Sequence, residues 1–152
     1  MAADQLDRID HAILAALGEN ARMTVTELAE RVGLSKTPCA ARLRRLEQAG
    51  VVRGYRAIVD HVRLGQGHVA FVQVHLTDTK TPALTAFDVA VRAIPEVEEC
   101  HLIAGAFDYL VKVRTRDIDA FRRVLGERIS ALPHVSHTST FVAMGTVVDR
   151  GT

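Results

Sequence analysis

Two short amphipathic segments, joined by only three residues, constrain the fold of this chain more than any other feature. The first has apolar residues at the spacing of one helical face, namely Val25, Leu28, Ala29 and Val32. Thr24 and Glu27 form a capping box at its start, and Gly33 stands where a left-handed cap ends it. The second segment is predicted over residues 36–49. Two helices joined by a short glycine-containing turn predict a helix-turn-helix.

The second helix of this pair has a buried and an exposed side. Ser35 is its expected N-cap, with the side chain capping Thr37, because Pro38 at the third helical position has no amide hydrogen. The predicted buried stripe consists of Cys39, Ala40, Leu43 and Leu46. A further helix is expected before the pair, from the N-cap Asp7 to near Asn20.

The rest of the chain alternates between strand and helix patterns. The elements expected are a strand at 51–60, a strand from 68, a helix with Thr81 as its cap and Pro82 at its first position, strands at 97–104 and 109–115, a helix from near Asp117, and a strand at 135–144. The order from residue 68 is that of a ferredoxin-like, ACT-like βαββαβ domain.

The fold class is therefore predicted as α+β, with two domains. A winged-type helix-turn-helix domain with its trailing strand takes residues 1–60, and residues 61–67, which contain two glycines, form the hinge linker. The ferredoxin-like domain takes 68–145, and 146–152 is a tail. Both of its helices should pack on one face of the sheet, which leaves Phe71 on the other face partly in water. Covering that face with a second copy predicts a homodimer.

Positive charge is concentrated around the second helix of the pair. Six lysines and arginines lie between residues 36 and 56, with Glu47 as the only anion, so the local balance is +5. Such a cluster attracts phosphates. The exposed side of the helix has no large apolar side chain and consists of Thr37, Ala41, Arg44, Arg45 and Gln48.

We predict that this side of the helix enters the major groove of double-stranded DNA. Arg44 or Arg45 would pair with guanine or bind phosphate, and Ala41 would approach a thymine methyl. Backbone contacts are assigned to Lys36, Arg42, Arg53 and Arg56. The complete set of predicted DNA contacts is Ser35, Lys36, Thr37, Pro38, Ala41, Arg42, Arg44, Arg45, Gln48, Arg53 and Arg56.

The chain resembles the Lrp/AsnC (leucine-responsive/asparagine regulator) family over nearly its whole length. The first half is similar to the DNA-binding domain of that family in the runs Leu6-Asp7-Arg8-Ile9-Asp10, Thr26 to Ser35, Thr37-Pro38-Cys39 and Arg42 to Val52, and in the hinge-strand motif Gly54-Tyr55-Arg56-Ala57. The second half resembles its effector-binding and oligomerisation domain, with Gly105, Asp108 and Tyr109 in a glycine-to-Asp-Tyr turn.

The resemblance implies a transcriptional regulator of amino-acid metabolism genes whose dimers often assemble into octamers. It also implies an effector, usually an amino acid, that binds between neighbouring subunits near the glycine-to-Asp-Tyr turn. The pocket residues carried over are His101, Gly105, Ala106, Phe107, Asp108, Tyr109, Thr138 and Thr140. Ser136 to Phe141, together with residues 97–109, are similar to proline-utilisation regulators of the family, which suggests proline as the effector.

The chemistry of that turn allows two interpretations. A glycine lets a backbone amide approach a ligand carboxylate, and Asp108 is a natural partner for an ammonium group. Alternatively, Gly105 and Asp108 simply make the hairpin turn.

Other classes of function have little support in the sequence. There is no P-loop, nucleophile elbow or set of Rossmann glycines, so no enzyme is predicted. Cys39 and Cys100 make neither a disulfide framework nor a zinc pattern, and His134 and His137 would point to opposite faces of a strand, so no metal or cofactor is expected. No apolar run reaches the ~18 residues of a membrane span, and the start lacks a signal-peptide core. A cytoplasmic, nucleoid-associated protein is therefore expected.

Two alternatives to a regulator stay open at this point. The ferredoxin-like domain could bind an amino acid for an enzyme complex, with the basic helix docking a protein partner. The chain could also be an architectural DNA-binding protein with little sequence preference. Replacing Arg44 and Arg45 together distinguishes a protein-docking helix from one that binds DNA.

Overall fold

The computed structural model describes residues 6–148, so the end of the predicted tail, from residue 149, lies outside the described residues. The chain divides into two compact units with the boundary between Ile58 and Val59. The elements of the first unit are helices α1 (Arg8–Glu19), α2 (Val25–Val32) and α3 (Lys36–Gln48). Those of the second are β1 (His68–Leu76), α4 (Thr81–Val91), β2 (Val97–Leu102), β3 (Tyr109–Thr115), α5 (Ile118–Val124), a π-helical turn (Leu125–Ile129) and β4 (Val135–Val142).

Side-chain caps start the first two helices where the sequence predicts them. Asp7 accepts a hydrogen bond from the amide of Asp10 at 2.9 Å, and Thr24 Oγ1 accepts from the amide of Glu27 at 3.2 Å. Ser35 does occupy the N-cap position of α3, but its side chain makes no capping bond, so that part of the prediction is wrong. Proline at the third helical position removes the amide that such a cap uses most often.

The core of the first unit is formed where the three helices meet. Ile13, Leu28, Cys39 and Leu46 are almost completely buried. The predicted stripe of α3 is thus confirmed for Cys39 and Leu46, while Ala40 and Leu43 are half-buried. Burial of each large aliphatic side chain contributes about 2 kcal/mol, and this holds the exposed side of α3 outward.

The second unit is a four-stranded antiparallel sheet in the order β2-β3-β1-β4. Val72 of β1 lies opposite Val111 of β3 and Thr140 of β4. The alternate residues of β1 and β3 that face the helices are buried against Phe87 of α4 and Phe121 of α5. The ferredoxin-like arrangement predicted from the order of elements is confirmed.

The other face of the sheet stays partly open in one chain. Phe71 of β1 is half-buried, and Phe141, opposite it on β4, is 55% exposed. Lys112 on the same face forms an ion pair with Glu99 at 2.8 Å. This is the exposure from which the homodimer is predicted, and the dimer itself stays a prediction.

The strand expected at 51–60 is not formed. The amides of Val51 and Val52 bond to the carbonyl of Leu46, at the end of α3, and residues 53–60 are exposed. A strand needs a neighbour that satisfies its backbone groups, and no strand of the described residues pairs with this segment.

Several element ends differ from the sequence prediction by a few residues. Helix α4 has Lys80 as its N-cap and Pro82 as its second residue, because the side chain of Asp78 accepts the Lys80 amide and turns the chain one residue early. Strand β2 ends at Leu102 instead of 104, and β4 ends at Val142 instead of 144.

Candidate functional site

The predicted recognition surface of α3 lies on the outside of the first unit. Of the eleven residues predicted to contact DNA, Arg42 is half-buried and the others are exposed: Ser35, Lys36, Thr37, Pro38, Ala41, Arg44, Arg45, Gln48, Arg53 and Arg56. The opposite side of the helix is anchored by Cys39 and Leu46 in the core. The exposed side is therefore available to a partner that is not part of this unit.

The turn before α3 fixes the direction of the helix. Gly33 has a φ of 72°, in the left-handed region that favours glycine, and its amide bonds to the carbonyls of Ala29 and Glu30. The amide of Leu34 also bonds to the carbonyl of Ala29, at 2.9 Å. These bonds satisfy carbonyl groups at the end of α2 and fix the path by which the chain leaves that helix.

A buried carboxylate in α1 binds two of the arginines of α3. Asp10 has no exposed surface, and its Oδ1 accepts from Arg42 Nη1 at 2.9 Å while its Oδ2 accepts from Arg45 Nη2 at 2.5 Å. Arg42 also donates to Asp7 at 2.6 Å. Burial alone would raise the pKa of Asp10, but the Asp7 amide and the two guanidinium groups outweigh it, and the pKa lies below its usual value.

This network divides the cations of the surface into two groups. Arg42 and Arg45 are neutralised in part by Asp7 and Asp10 and are held in place. The side chains of Lys36, Arg44 and Arg53 make no hydrogen bond or ion pair with any residue of 6–148. The sequence predicted the same roles for Arg44 and Arg45. In the structure, Arg45 is bonded to Asp10, whereas the side chain of Arg44 has no such partner within residues 6–148.

The sequence analysis did not identify Asp10 as part of the site. A signal was present, since Asp10 lies three residues before Ile13 and thus on the apolar side of α1. A buried carboxylate requires a partner, and the partner here is supplied by another helix.

The glycine-to-Asp-Tyr turn between β2 and β3 is tied to the end of β1. Asp108 accepts the amide of Leu76 at 2.7 Å through Oδ2, and its own amide bonds to the carbonyl of Val74 at 3.0 Å. At least one oxygen of this carboxylate therefore has a structural role. Gly105 has no positive φ, and a Cβ added there would meet only Ile103, at an ordinary 3.5 Å. Within one chain, nothing in the turn requires a glycine at position 105.

Tyr109 and His101 lie on different sides of the sheet. Tyr109 is 2% exposed, donates to Asp88 Oδ1 at 2.8 Å, and has its ring centroid 4.3 Å from that of Phe87. Burial is the main reason why the pKa of Tyr109 lies above its usual value. His101 is exposed on the open face, where its Nε2 lies 3.3 Å from Glu99.

The predicted effector residues do not converge within one chain. Thr138 and Thr140 lie on β4, at the edge of the sheet opposite the β2 edge that carries His101. Three strand spacings of ~4.8 Å separate those edges by about 14 Å. Gly105, Ala106, Phe107 and Asp108 stay together in the turn. A pocket that used all eight residues would need more than one copy of the chain.

Two other kinds of site are absent from the described residues. No group of three or more metal-ligating side chains within residues 6–148 could hold a metal ion. In the same part of the chain, no helix is long and apolar enough to span a membrane.

Family models match both units of the chain. A model described as "Winged helix-turn-helix DNA-binding" matches residues 6–53, and one described as "Lrp/AsnC ligand binding domain" matches residues 69–152. Together they cover the three helices, the sheet apart from His68, and both helices that pack on the sheet.

Similar proteins and solved structures agree with these models. A proline dehydrogenase transcriptional activator from Rhizobium radiobacter is 58% identical over 148 residues, which are 97% of this chain and 95% of that protein. The leucine-responsive regulatory protein of Escherichia coli K12 is 43% identical over 91% of this chain and 85% of that protein. The crystal structure of a transcriptional regulator from Neisseria meningitidis in complex with L-methionine has a TM-score of 0.88, with 34% identity over 95% of this chain and 94% of that one.

Proposed function

The chain belongs to the Lrp/AsnC family of transcriptional regulators, and we propose that it binds operator DNA through α3 and responds to an amino acid bound at its second unit. The predicted family, the α+β fold class and the non-enzymatic function are confirmed by the matched models and relatives. The observation that carries the proposal is the exposed, basic side of α3, which is held outward by a rigid turn.

Arg44 is the residue that we assign to reading bases. It is exposed near the middle of the recognition surface and has no partner within residues 6–148, so its guanidinium is free to pair with guanine O6 and N7. Lys36 and Arg53 bind phosphates. The other side chains of α3 that face the major groove are Thr37, Ala41 and Gln48. Arg42 and Arg45, held by Asp10, position the helix and present charge to the backbone.

The effector site is proposed at the turn of residues 105–108, completed by β4 of another copy. Gly105 supports this, since a glycine that the turn does not need leaves the backbone open to a ligand. The Neisseria meningitidis neighbour was crystallised with L-methionine, and the Rhizobium radiobacter relative is named for proline dehydrogenase. We therefore propose an amino-acid effector, with proline as the first candidate, and regulation of amino-acid metabolism genes.

The assembly and cellular location follow from the same proposal. The half-open sheet face with Phe71 and Phe141 is covered by a second copy, and the dimers assemble into octamers in which the effector lies at subunit contacts. The effector changes DNA affinity by favouring one arrangement of the paired helices over another. The protein is then cytoplasmic and associated with the nucleoid.

The DNA assignment is tested by comparing Arg44→Ala with Arg45→Ala and with Arg22→Ala, an exposed arginine outside the surface. Binding to a duplex selected from a random pool by the wild-type protein is measured by fluorescence anisotropy. We expect Arg44→Ala to lose roughly tenfold to a hundredfold in affinity for the selected site, and to discriminate less against random duplex. Arg22→Ala should bind like the wild type. If Arg44→Ala also binds like the wild type, α3 does not read DNA through Arg44.

The effector assignment is tested by Gly105→Ala. Because a Cβ at this position would meet only Ile103 among the described residues, at an ordinary 3.5 Å, the variant should unfold at the wild-type temperature without ligand. The rise in unfolding temperature that L-proline gives the wild type should be reduced or lost, while D-proline controls for non-specific stabilisation. An unchanged rise in the variant would refute the proposed site, and the absence of a rise in the wild type with any of the twenty amino acids would refute the effector.

A further inference from the structure

A cavity of about 440 Å³ lies within the second unit, between α4 and the edge strand β2. Its walls include Asp88, Val91 and Arg92 from α4 and its end, Cys100 and Leu102 from β2, and Tyr109 from β3. The volume is in the range of small-molecule sites in proteins. The cavity is on the side of the sheet that faces the helices and is complete in a single chain. Its lining includes Tyr109, which directly follows the turn, but none of residues 105–108.

Opposite charges line this cavity. Asp88 is half-buried, and one of its oxygens, Oδ1, accepts from the hydroxyl of Tyr109, whereas no bond to a described residue involves Oδ2. Arg92, one turn further along the helix, is exposed, and its side chain makes no hydrogen bond or ion pair within residues 6–148. Two more carboxylates on the rim, Glu98 and Glu99, are paired with Arg114 and Lys112, so they compete little for a ligand.

The remaining wall is apolar. Val91 is 3% exposed, whereas Leu102, at the end of β2, is 61% exposed. Cys100 is half-buried between them, and burial followed by the charge of Asp88 raises the pKa of its thiol to about 11. The thiol is therefore neutral at physiological pH and belongs to the apolar wall.

We propose that this cavity is a second binding site, within each subunit, for a zwitterionic α-amino acid with an aliphatic side chain. The ligand ammonium binds Asp88 Oδ2, the carboxylate binds Arg92, and the side chain covers Val91 and Leu102. Charge-assisted bonds to both ends of the zwitterion give selectivity over molecules that carry only one of the charges. Asp88 also accepts the hydrogen bond of Tyr109, the residue that directly follows Asp108. A ligand bound to Asp88 would therefore contact a residue that holds the glycine-to-Asp-Tyr turn in place. An effect of this ligand on the effector site rests on the proposed function, but binding of the ligand does not.

Cys100 provides a reporter for occupation of the cavity. The full-length wild type is treated with N-ethylmaleimide at increasing concentrations of L-leucine, and modification of each cysteine is followed by mass spectrometry. Cys39 has no exposed surface and serves as the internal reference for unfolding. We expect leucine to slow labelling of Cys100 in proportion to the fraction of empty cavities, by about tenfold at ten times the dissociation constant, because labelling requires the empty cavity. Isothermal titration calorimetry of the same protein gives an independent measure of binding.

Ligand analogues test the proposed chemistry. Isocaproate lacks the ammonium of leucine and isoamylamine lacks the carboxylate, so each should bind at least about tenfold more weakly. Equal binding of leucine and isocaproate would show only an apolar crevice and would overturn the proposal. So would the absence of binding and protection by leucine and by the other aliphatic amino acids.

Variants separate this site from the proposed effector site. Arg92→Gln and Asp88→Asn should each weaken leucine binding about tenfold or more and leave the circular dichroism spectrum unchanged, since asparagine can still accept from Tyr109. Arg122→Gln, an exposed arginine of α5, is the matched control and should bind normally. If leucine protects Cys100 equally in Arg92→Gln and Asp88→Asn, the ligand binds elsewhere. Because no DNA is present, failure here leaves the assignment of α3 untouched, and failure of that assignment leaves this test valid.

Discussion

Replacement of Asp10 by asparagine tests whether the buried carboxylate stabilises the helix-turn-helix unit. The change keeps the shape of the side chain but removes the charge that accepts from Arg42, at 2.9 Å, and from Arg45, at 2.5 Å. Asparagine also places an NH2 group, which is a donor, opposite one of the two guanidinium groups, so one of the two hydrogen bonds cannot form. Hydrogen bonds to charged groups contribute about 1.5–3 kcal/mol each, and loss of one partner of a fully buried pair costs about 3–5 kcal/mol.

The expected loss lies below the sum of these values because both arginines can move into solvent. The side chain of Arg45 is 49% exposed, and Arg42 keeps its bond to Asp7 at 2.6 Å. We therefore expect Asp10→Asn to lower the free energy of unfolding of the first unit by about 2 kcal/mol at neutral pH. Glu19→Gln, which removes a pair with Arg31 on the surface of the same unit, should cost less than about 1 kcal/mol.

Cys39 makes this measurement specific to the first unit. Its thiol is completely buried in the core between the helices, so its labelling during a urea titration reports unfolding of that unit. A Cys100→Ser background removes the other thiol. Equal urea midpoints for wild type and Asp10→Asn would refute the reasoning. The bonds of the Asp10 carboxylate to Arg42 and Arg45 would then add nothing to the stability of the unit beyond what asparagine provides.

The dependence of the difference on pH gives a second check. The pKa of Asp10 is lower in the folded chain than the ordinary value of an aspartate, 3.8, which applies to the unfolded chain. The stabilising contribution is therefore complete above the unfolded pKa and is lost as the pH falls through the lower, folded pKa. The stability gap between wild type and Asp10→Asn should narrow on acidification, and a gap that widens would contradict the assignment.

Two further changes test the local geometry of the first unit in the same labelling assay. Gly33→Ala should destabilise the unit by about 1 kcal/mol, since φ is 72° at that position. Gly18→Ala in α1, where φ is not positive, should stabilise it by about 0.5–1 kcal/mol. If Gly33→Ala were the more stable of the two variants, the left-handed cap at Gly33 would be contradicted. Thr24→Ala should cost about 1 kcal/mol through loss of the α2 cap, and Thr26→Ala, exposed in the first turn of the same helix, much less. Equal effects of the two threonine changes would assign the loss to helix propensity rather than to capping.

Features that depend on neighbouring residues in the sequence could be predicted, and those that depend on distant partners could not. The caps at Asp7, Thr24 and Gly33 involve residues within five positions of one another, and all three are formed. The sequence predicted correctly that Phe71 lies on the face of the sheet that the helices leave open, since its neighbours Ala70 and Val72 belong to the buried core. The strand expected at 51–60 is absent because β structure requires a partner that no local pattern supplies.

The candidate sites show the same division. The exposed side of α3 was predicted from helical spacing, and each of its residues lies where the spacing puts it. The different states of Arg44 and Arg45 depend on Asp10, more than thirty residues earlier, and on its burial by other helices. In the second unit, the resemblance placed Tyr109 in the effector pocket, whereas in a single chain its hydroxyl is bonded to Asp88 of α4.

The order of the two units along the chain has a consequence for synthesis on the ribosome. The three helices of the first unit are made first, and their contacts involve only residues that have already emerged. Strand β1 lies in the middle of the sheet, yet one of its two neighbours is β4, which follows all the other described elements along the chain. Nascent chains fold from the N-terminus as whole domains. A polypeptide released too early, before β4, would thus carry a folded DNA-binding unit attached to a sheet whose central strand has one unpaired edge, which is a template for aggregation.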